Sequence, residues 1–446
     1  MSLPRYPKYK DSRVEWLGEV PAHWVCARLA TIFREVNEPG NDDLPVLSVS
    51  IHEGVSDREL DEKEMERKVT RSDDRSKYKA VAPGDLTYNM MRAWQGGFGT
   101  VTVHGMVSPA YVVARPMCDS LTSHIEMLLR TPTAIAEIKR YSRGITDFRL
   151  RLYWEDFKGL QIALPPMAEQ LAIAAFLDHE TGKIDALVAE QEKLLTLLAE
   201  KRQATISHAV TRGLKPDAPM KDSGVAWLGE VPAHWDVKPL RYCISFQEGP
   251  GILAVDFHDE GVPLLRVSGV QQYWASLEGC NYLDPERVAE KWEHFRLEKD
   301  DLLISASASM GTVCEVGNET VGAIPYTGLI RLRGIPGEMR KGFIRHLAIS
   351  NQFSIQIELL KAGATIQHFG PTHLSQMVVA KPPIEEQEQI SEFVDSELLK
   401  FDALKAEANR AIDLLKERRS ALIAAAVTGK IDVRGAVAQQ QEELAA

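Results

Sequence analysis

Lys10–Trp24 reads KDSRVEWLGEVPAHW, and Lys221–Trp235 reads KDSGVAWLGEVPAHW. Thirteen of the 15 positions are identical, the exceptions being Arg13/Gly224 and Glu15/Ala226. A second repeat follows each copy. LPPMAEQLAIAAFLDHETGKIDALVAEQEKLLTLLAEKRQATISHAVTRG, from Leu164, matches KPPIEEQEQISEFVDSELLKFDALKAEANRAIDLLKERRSALIAAAVTGK, from Lys381, at about half of its positions. The order is therefore globular unit, long helix, globular unit, long helix. A period above 200 residues is too long for a solenoid or a propeller and means a duplicated domain.

The long repeats carry the helical signal. Between Glu169 and Thr211 there is no proline and one glycine, Gly182. Ile184, Leu187, Gln191, Leu194, Leu198 and Thr205 recur at helical spacing, as do Phe401, Leu404, Ala408, Ala411, Leu415 and Leu422 in the second copy;. Pro165-Pro166 and Pro382-Pro383 end what precedes each helix, and Gly213 and Gly429 stand where a C-cap glycine is expected;. About forty residues make a rod of about 60 Å. A rod with one apolar stripe needs a partner: the other copy is the first candidate, as a coiled coil, and packing of each helix on its own globular unit alone is the alternative.

Short apolar runs broken by Gly and Pro give each globular unit a mixed, partly antiparallel sheet. Strands are predicted over Leu44–Ile51, Gly84–Asn89 and Val107–Val113 in the first, and over Pro263–Ser268, Asp300–Ser305 and Ile324–Ile330 in the second. Helices are predicted over His124–Tyr141 and Gly342–Lys361. The fold class is α+β, with the repeated parts alike and the intervening parts diverged.

The chain has 446 residues, ample for two cores, and a net charge of −11 that by itself opposes a nucleic-acid partner;. Nearly half of the excess acid lies in the second helix and the tail after it, so the globular units are close to neutral. Five scattered cysteines without a C-x-x-C spacing point to reduced thiols in a cytosol;. No apolar run is long enough to span a bilayer, and no secretory h-region is visible, so a cytoplasmic location is expected.

Catalytic motifs are missing. There is no G-x-x-x-x-G-K-[ST], no G-x-G-x-x-G opening a helix, no [ND]-P-P-[YF] of amino-methyltransferases and no H-E-x-x-H;. Asp61-Glu62-Lys63 sits in a charge run, DRELDEKEMERK, rather than on a nuclease strand. His23 and His234 recur beside tryptophans and read as packing or capping residues. No catalytic residue, metal ligand or cofactor is assigned.

Basic and polar segments with interleaved aromatics remain. Arg67, Lys68, Arg71, Arg75, Lys77 and Lys79 crowd one stretch, although Asp73 and Asp74 make a merely solvated surface an equal reading. GITDFRLRL, with Thr146, Asp147, Arg149 and Arg151 preceded by Arg143, lies just before LQIALPP. GATIQHFG, with Thr365, Gln367 and His368, lies just before MVVAKPP. Arg331, Arg333 and Lys341 add basic positions to the second unit. Arg and Lys bind phosphates, and Arg, Gln, Asn and Asp read base edges. Polar loops at equivalent places with different letters are what two distinct readers would show.

The order of parts resembles the specificity subunit of type I restriction-modification systems (HsdS-type). The WLGEVPAHW repeat, the entries PPMAEQLAIAAFLD and PPIEEQEQISEFVD, and the helix ends KRQATISHAVTRG and RRSALIAAAVTGK carry that resemblance over essentially the whole length. It implies two target-recognition domains, 1–164 and 217–381, each reading half of a split, asymmetric DNA site. It implies two helical spacers, 165–216 and 382–433, forming an antiparallel coiled coil with pseudo-twofold symmetry, and a tail, 434–446. It implies a non-catalytic subunit whose partners are double-stranded DNA, modification (methyltransferase) subunits, two in number by the symmetry, and ATP-dependent restriction subunits. Adenine methylation would belong to the modification subunits, which flip the base. Half-sites one helical turn apart, about 34 Å, lie on one face of the duplex, and a forty-residue rod can hold two readers at that separation. The competing reading is a coiled-coil scaffold that binds only proteins. A self-sufficient nuclease or methyltransferase is the third.

Overall fold

The computed structural model describes residues 3–60, 77–144, 150–271, 273–306, 311–361 and 369–436. Two helices dominate it, Met167–Arg212 of 46 residues and Ile384–Val427 of 44. By its contacts the chain forms two compact units, Met1–Gln191 with Arg410–Ala446, and Glu192–Asn409. The division falls inside both long helices, so each unit contains part of each.

In the first unit the repeat hairpin pairs Tyr9–Asp11 with Glu19–Pro21. Val25–Arg28 then pairs antiparallel with Gln161–Leu164, which closes the globular insert on itself. Inside the insert a four-stranded antiparallel sheet runs in the order Phe33–Val36, Tyr111–Pro116, Leu86–Asn89, Phe98–Thr100. A core containing Trp24, Phe33, Tyr88, Phe98 and Phe157 joins this sheet to Ile173, Phe176 and Leu177 of the first long helix and to Ala426 and Val427 of the second.

The second unit repeats the plan. Met220–Asp222 pairs with Glu230–Pro232, and Asp236–Pro239 pairs with Val378–Lys381. The four-stranded sheet runs Ile244–Glu248, Leu329–Gly334, Leu302–Ser305, Val313–Glu315. Trp235, Phe343, Phe353 and Phe369 pack with Ile206, Ala209 and Val210 of the first long helix and with Ile390 and Val394 of the second. Where the first half has a two-stranded ladder of Lys79–Val81 and Gly105–Val107, the second has a three-stranded sheet of Asn281–Leu283, Val262–Leu265 and Ile324–Pro325.

The two long helices pack together as an antiparallel pair. In the first unit Arg419 donates to Asp185 at 2.9 Å, and in the second Arg202 donates to Asp402 at 2.5 Å. The repeat alignment places Asp185 on Asp402 and Arg202 on Arg419. Each ion pair is thus the counterpart of the other. The seam differs from the predicted stripe. Ile184, Val188, Gln191, Leu195, Leu198, Arg202 and Thr205 face inward at alternating spacings of four and three, whereas Leu187 and Leu194 are exposed. The second helix turns Ala408, Ile412, Leu415, Arg419 and Leu422 inward and leaves Leu404 outside. The register is set by a heptad that includes two arginines, which a count of apolar letters passes over.

Five further expectations are corrected. His124–Tyr141 is two helices, Thr122–Leu129 and Pro132–Tyr141. Pro132 has no N–H to continue the first, and the Thr131 hydroxyl caps the second by accepting from Ala134 at 3.3 Å;. Gly342–Lys361 breaks likewise into Lys341–Ala348 and Asn351–Lys361 around Ser350. The runs predicted as Val107–Val113 and Ile324–Ile330 each contain a turn, and only Val49–Ser50 of Leu44–Ile51 forms a ladder.

Candidate nucleic-acid interface

The duplicated motifs turn out to build sockets. Trp24 is fully buried, and its indole Nε1 donates to Glu169 at 2.9 Å. His23 bonds the same carboxylate at 2.7 Å, and the Tyr6 hydroxyl donates to it at 2.5 Å. Burial pushes the Glu169 carboxyl up, but these hydrogen bonds outweigh it and leave the group below its ordinary value;. The second copy repeats the arrangement: Trp235 Nε1 donates to Glu386 at 3.0 Å, and His234 bonds it at 2.7 Å. Both histidine rings are largely exposed and act through this bond to the glutamate, so the packing expected of them is not what the structure gives.

The neighbouring glutamines complete each socket. Gln170 accepts from the backbone N–H of Leu121, at the start of helix Thr122–Leu129, and donates to the Pro165 carbonyl. Gln387 accepts from Arg340, at the start of helix Lys341–Ala348, and donates to the Pro382 carbonyl. The Glu-Gln pair of PPxxEQ therefore holds the hairpin with one residue and the globular insert with the next. Each socket also receives the end of a long helix. A Cβ at Gly429 would lie 2.4 Å from Pro21 and 3.1 Å from Trp24, and one at Gly213 would lie 3.1 Å from Trp235. Both glycines have left-handed φ, +72° and +73°, which only glycine adopts without strain;.

A strut is repeated where the sequences have diverged. Asp85, nearly fully buried, accepts from Arg115 at 2.9 and 3.0 Å, and Arg115 also reaches Glu38 at 2.8 Å. In the second half Asp301 accepts from Arg333, which reaches Glu298 at 3.2 Å. The hydrogen bonds they donate to Asp85 and to Asp301, respectively, hold the two guanidinium groups above their ordinary pKa. Sequence reasoning missed this correspondence because each arginine and its aspartate sit among unlike neighbours.

The candidate DNA contacts distribute as follows. Arg71, Arg75, Thr146, Asp147, Arg149, Thr365, Gln367 and His368 lie outside the described residues. Lys77 is exposed just before strand Lys79–Val81. Arg143 and Arg151 form an antiparallel bridge at the stem of the 144–150 segment, with both backbone bonds at 2.9 Å. Both side chains are exposed, and Arg143 pairs with Asp156 at 2.5 Å. Tyr141 and Tyr153 are exposed nearby in the chain, and Leu152 donates its N–H to the carbonyl of Met90, next to the exposed Met91. Arg331 donates to the Arg296 carbonyl at 2.9 Å and to the Gln247 side chain. Lys341 pairs with Asp300 at 3.0 Å and with Glu315 at 2.5 Å. Arg331, Arg333 and Lys341 are thus engaged within their own unit, while Arg143, paired with Asp156, and Arg151 are exposed on either side of residues 145–149. Among the described residues no group of His, Cys, Asp and Glu could hold a metal ion, and no helix is long and apolar enough to cross a membrane.

Comparison with known proteins places this architecture. No family model matches the chain. The type I restriction enzyme MjaVIII specificity subunit of Methanocaldococcus jannaschii is 24% identical over 288 residues, 62% of this chain and 64% of that protein. The EcoKI specificity subunit of Escherichia coli K12 is 25% identical over 214 residues, 46% of this chain and 44% of its own length. The chain therefore spans less than two thirds of those two relatives. The putative MjaX specificity subunit of M. jannaschii is 22% identical over 454 residues, covering 97% of this chain and 99% of that one. Among solved structures, a chain from a study of complex assembly and conformational transition of the type I R-M system superposes with a TM-score of 0.69 at 15% identity, covering 92% of this chain and 98% of that one. The HsdS subunit from Thermoanaerobacter tengcongensis superposes with a TM-score of 0.53 at 16% identity, with the same coverage. In sequence and in fold the chain is similar to the type I restriction enzyme specificity subunits.

Proposed function

We propose that this chain is the DNA-specificity subunit of a type I restriction-modification enzyme. It reads a bipartite, asymmetric site and directs adenine methylation and restriction by partner subunits, without catalysing either. One observation carries the reading: two sockets built from the same residues hold inserts with the same sheet order and different surfaces. One frame with two unlike inserts suits a site with two unlike halves. The first insert reads one half with Arg143, Thr146, Asp147, Arg149 and Arg151, supported by Arg71, Arg75 and Lys77. The second reads the other with Thr365, Gln367 and His368, supported by Arg331, Arg333 and Lys341. The equivalence of the two halves suits two modification subunits docking alike, and these partners supply much of the phosphate contact that an acidic chain lacks.

Footprinting with the modification subunit present tests the reading. The expected result is two protected half-sites separated by a fixed gap, with log K falling linearly as log salt rises. A single contiguous footprint would overturn it. DNA affinity absent or independent of salt would favour a scaffold that binds only proteins.

A further inference from the structure

The second half contains a polar cavity of about 430 Å³ lined by Arg266, Ser268, Gly279, Asn281, Tyr326 and Thr327. Three adjacent strands place its principal side chains. Leu264 pairs with both Asn281 and Ile324, and Leu265 pairs with Pro325. Arg266 and Tyr326 therefore follow the last rungs of two parallel strands, and Asn281 opens the antiparallel strand beside them. The Arg266 guanidinium lies over the Tyr326 ring, 4.3 Å from its centroid, and 5.6 Å from that of Phe257. Its Nη1 donates to Asn281 Oδ1 at 3.0 Å. Its Nε and Nη2 have no protein partner among the described residues. Close backbone packing seats the tyrosine: a Cβ on Gly249 would fall 2.1 Å from the Pro325 carbonyl oxygen.

A guanidinium clamped on one side by an amide and on one face by an aromatic ring is a fixed planar fork. Little rotamer entropy is lost when such a fork meets two acceptors held at matching spacing. Guanine presents O6 and N7 in that way in the major groove. The rim favours a base over a phosphate. Glu248 accepts from Thr327 Oγ1 at 3.3 Å and from the Gly328 N–H at 3.2 Å, which sets a carboxylate at the mouth. It also lies 3.7 Å from where a Cβ on Gly370 would be, two residues after the candidate reading stretch Thr365–His368.

Among the described residues the first half has no such fork at the equivalent positions. Val46 bridges Met106 in parallel, as Leu264 bridges Ile324. Counting on from those rungs, Ser48 and Ser108 occupy the places of Arg266 and Tyr326. The cavity thus belongs to what differs between the halves, not to the shared frame.

We propose that this cavity is a base-reading site of the second half, in which Arg266 donates to O6 and N7 of a guanine. The inference rests on the DNA-specificity reading above. The test maps methylation in a host that expresses the chain with its modification partner. The wild-type chain is expected to yield a bipartite motif with a required guanine in one half. Arg266→Gln and Arg266→Lys are both expected to lower the preference for guanine at that one position about tenfold and to leave the other half unchanged. An unaltered motif in both variants would overturn the inference. So would an equal fall in methylation at every occurrence of the motif with its letters unchanged, since a phosphate contact carries no sequence preference. Joint loss of both halves would make Arg266 a structural residue and would also refute it. A wild-type complex that yields no bipartite motif would instead defeat the specificity reading itself, and this inference with it.

Discussion

At the scale of single residues, the duplication lets the molecule act as its own control. Arg13 has a left-handed backbone, φ 59°, at the position where the second hairpin has Gly224, φ 71°. Left-handed geometry costs an ordinary residue about 1–2 kcal/mol, part of which glycine returns through its greater freedom in the unfolded chain. Arg13→Gly is therefore expected to stabilise the first unit by about 0.5–1 kcal/mol, measured by denaturant unfolding. Glu169 makes a pH-dependent counterpart. Its folded pKa lies below the ordinary value, so its contribution is complete above the unfolded carboxyl pKa and is lost as pH falls through the folded one;. Glu169→Gln is expected to cost about 2 kcal/mol at neutral pH, with the difference from wild type shrinking below about pH 4.5. His124 titrates by another route. It is fully buried, and burial pulls its pKa down to about 4. Its contribution is thus lost as pH drops from about 6.5 towards 4. Melting curves of His124→Gln should show a shallower acid decline over that window. None of these roles was legible in advance. The sequence displays the Glu-Gln pair twice but does not say that one carboxylate gathers a tyrosine, a histidine and a tryptophan from 145 or more positions away.

At the scale of elements, legibility followed the length of the signal. The long helices were visible because more than forty residues without proline leave few alternatives. Their glycine ends were visible too, because a C-cap needs a left-handed residue. The seam was not, because Arg202 and Arg419 occupy core-facing heptad positions that a hydrophobic count scores as surface. The shorter helices broke at Thr131-Pro132 and Ser350, where one side chain decides. The interhelical ion pairs are partly exposed, and such pairs contribute little. Asp185→Ala or Asp402→Ala should each change stability by less than about 1 kcal/mol in thermal melts. Gly213→Val combines a left-handed backbone with a collision against Trp235, and should cost the second unit about 2 kcal/mol or more;.

At the scale of the whole molecule, the predictions concern which half of a DNA site responds. Arg149→Ala should relax or weaken one half-site and Gln367→Ala the other, each by about 1–3 kcal/mol for a bidentate base contact. Binding to panels of duplexes varied one base at a time would show it, and both effects falling on the same half would refute the assignment. Inserting four residues after Leu194, a stutter-sized step, should change the gap in the methylated motif while leaving both half-sequences intact. The general plan was legible because the repeat is long and specific. The proposed reading surfaces were not, because the inserts share a strand order and the Asp–Arg strut but little local sequence. The fork of Arg266, Asn281 and Tyr326 draws its members from three segments 15 and 45 residues apart, and no local pattern joins them.

The sockets have a consequence for how such a protein changes over time. Each insert enters beside a tryptophan and leaves through a proline pair, and the chemistry that grips it at both ends is written in nearly the same letters twice. A foreign insert that arrives with those borders would find its seat already prepared. Novelty can then come by exchanging a complete cassette in one event, with no need to re-evolve the bearings that carry it.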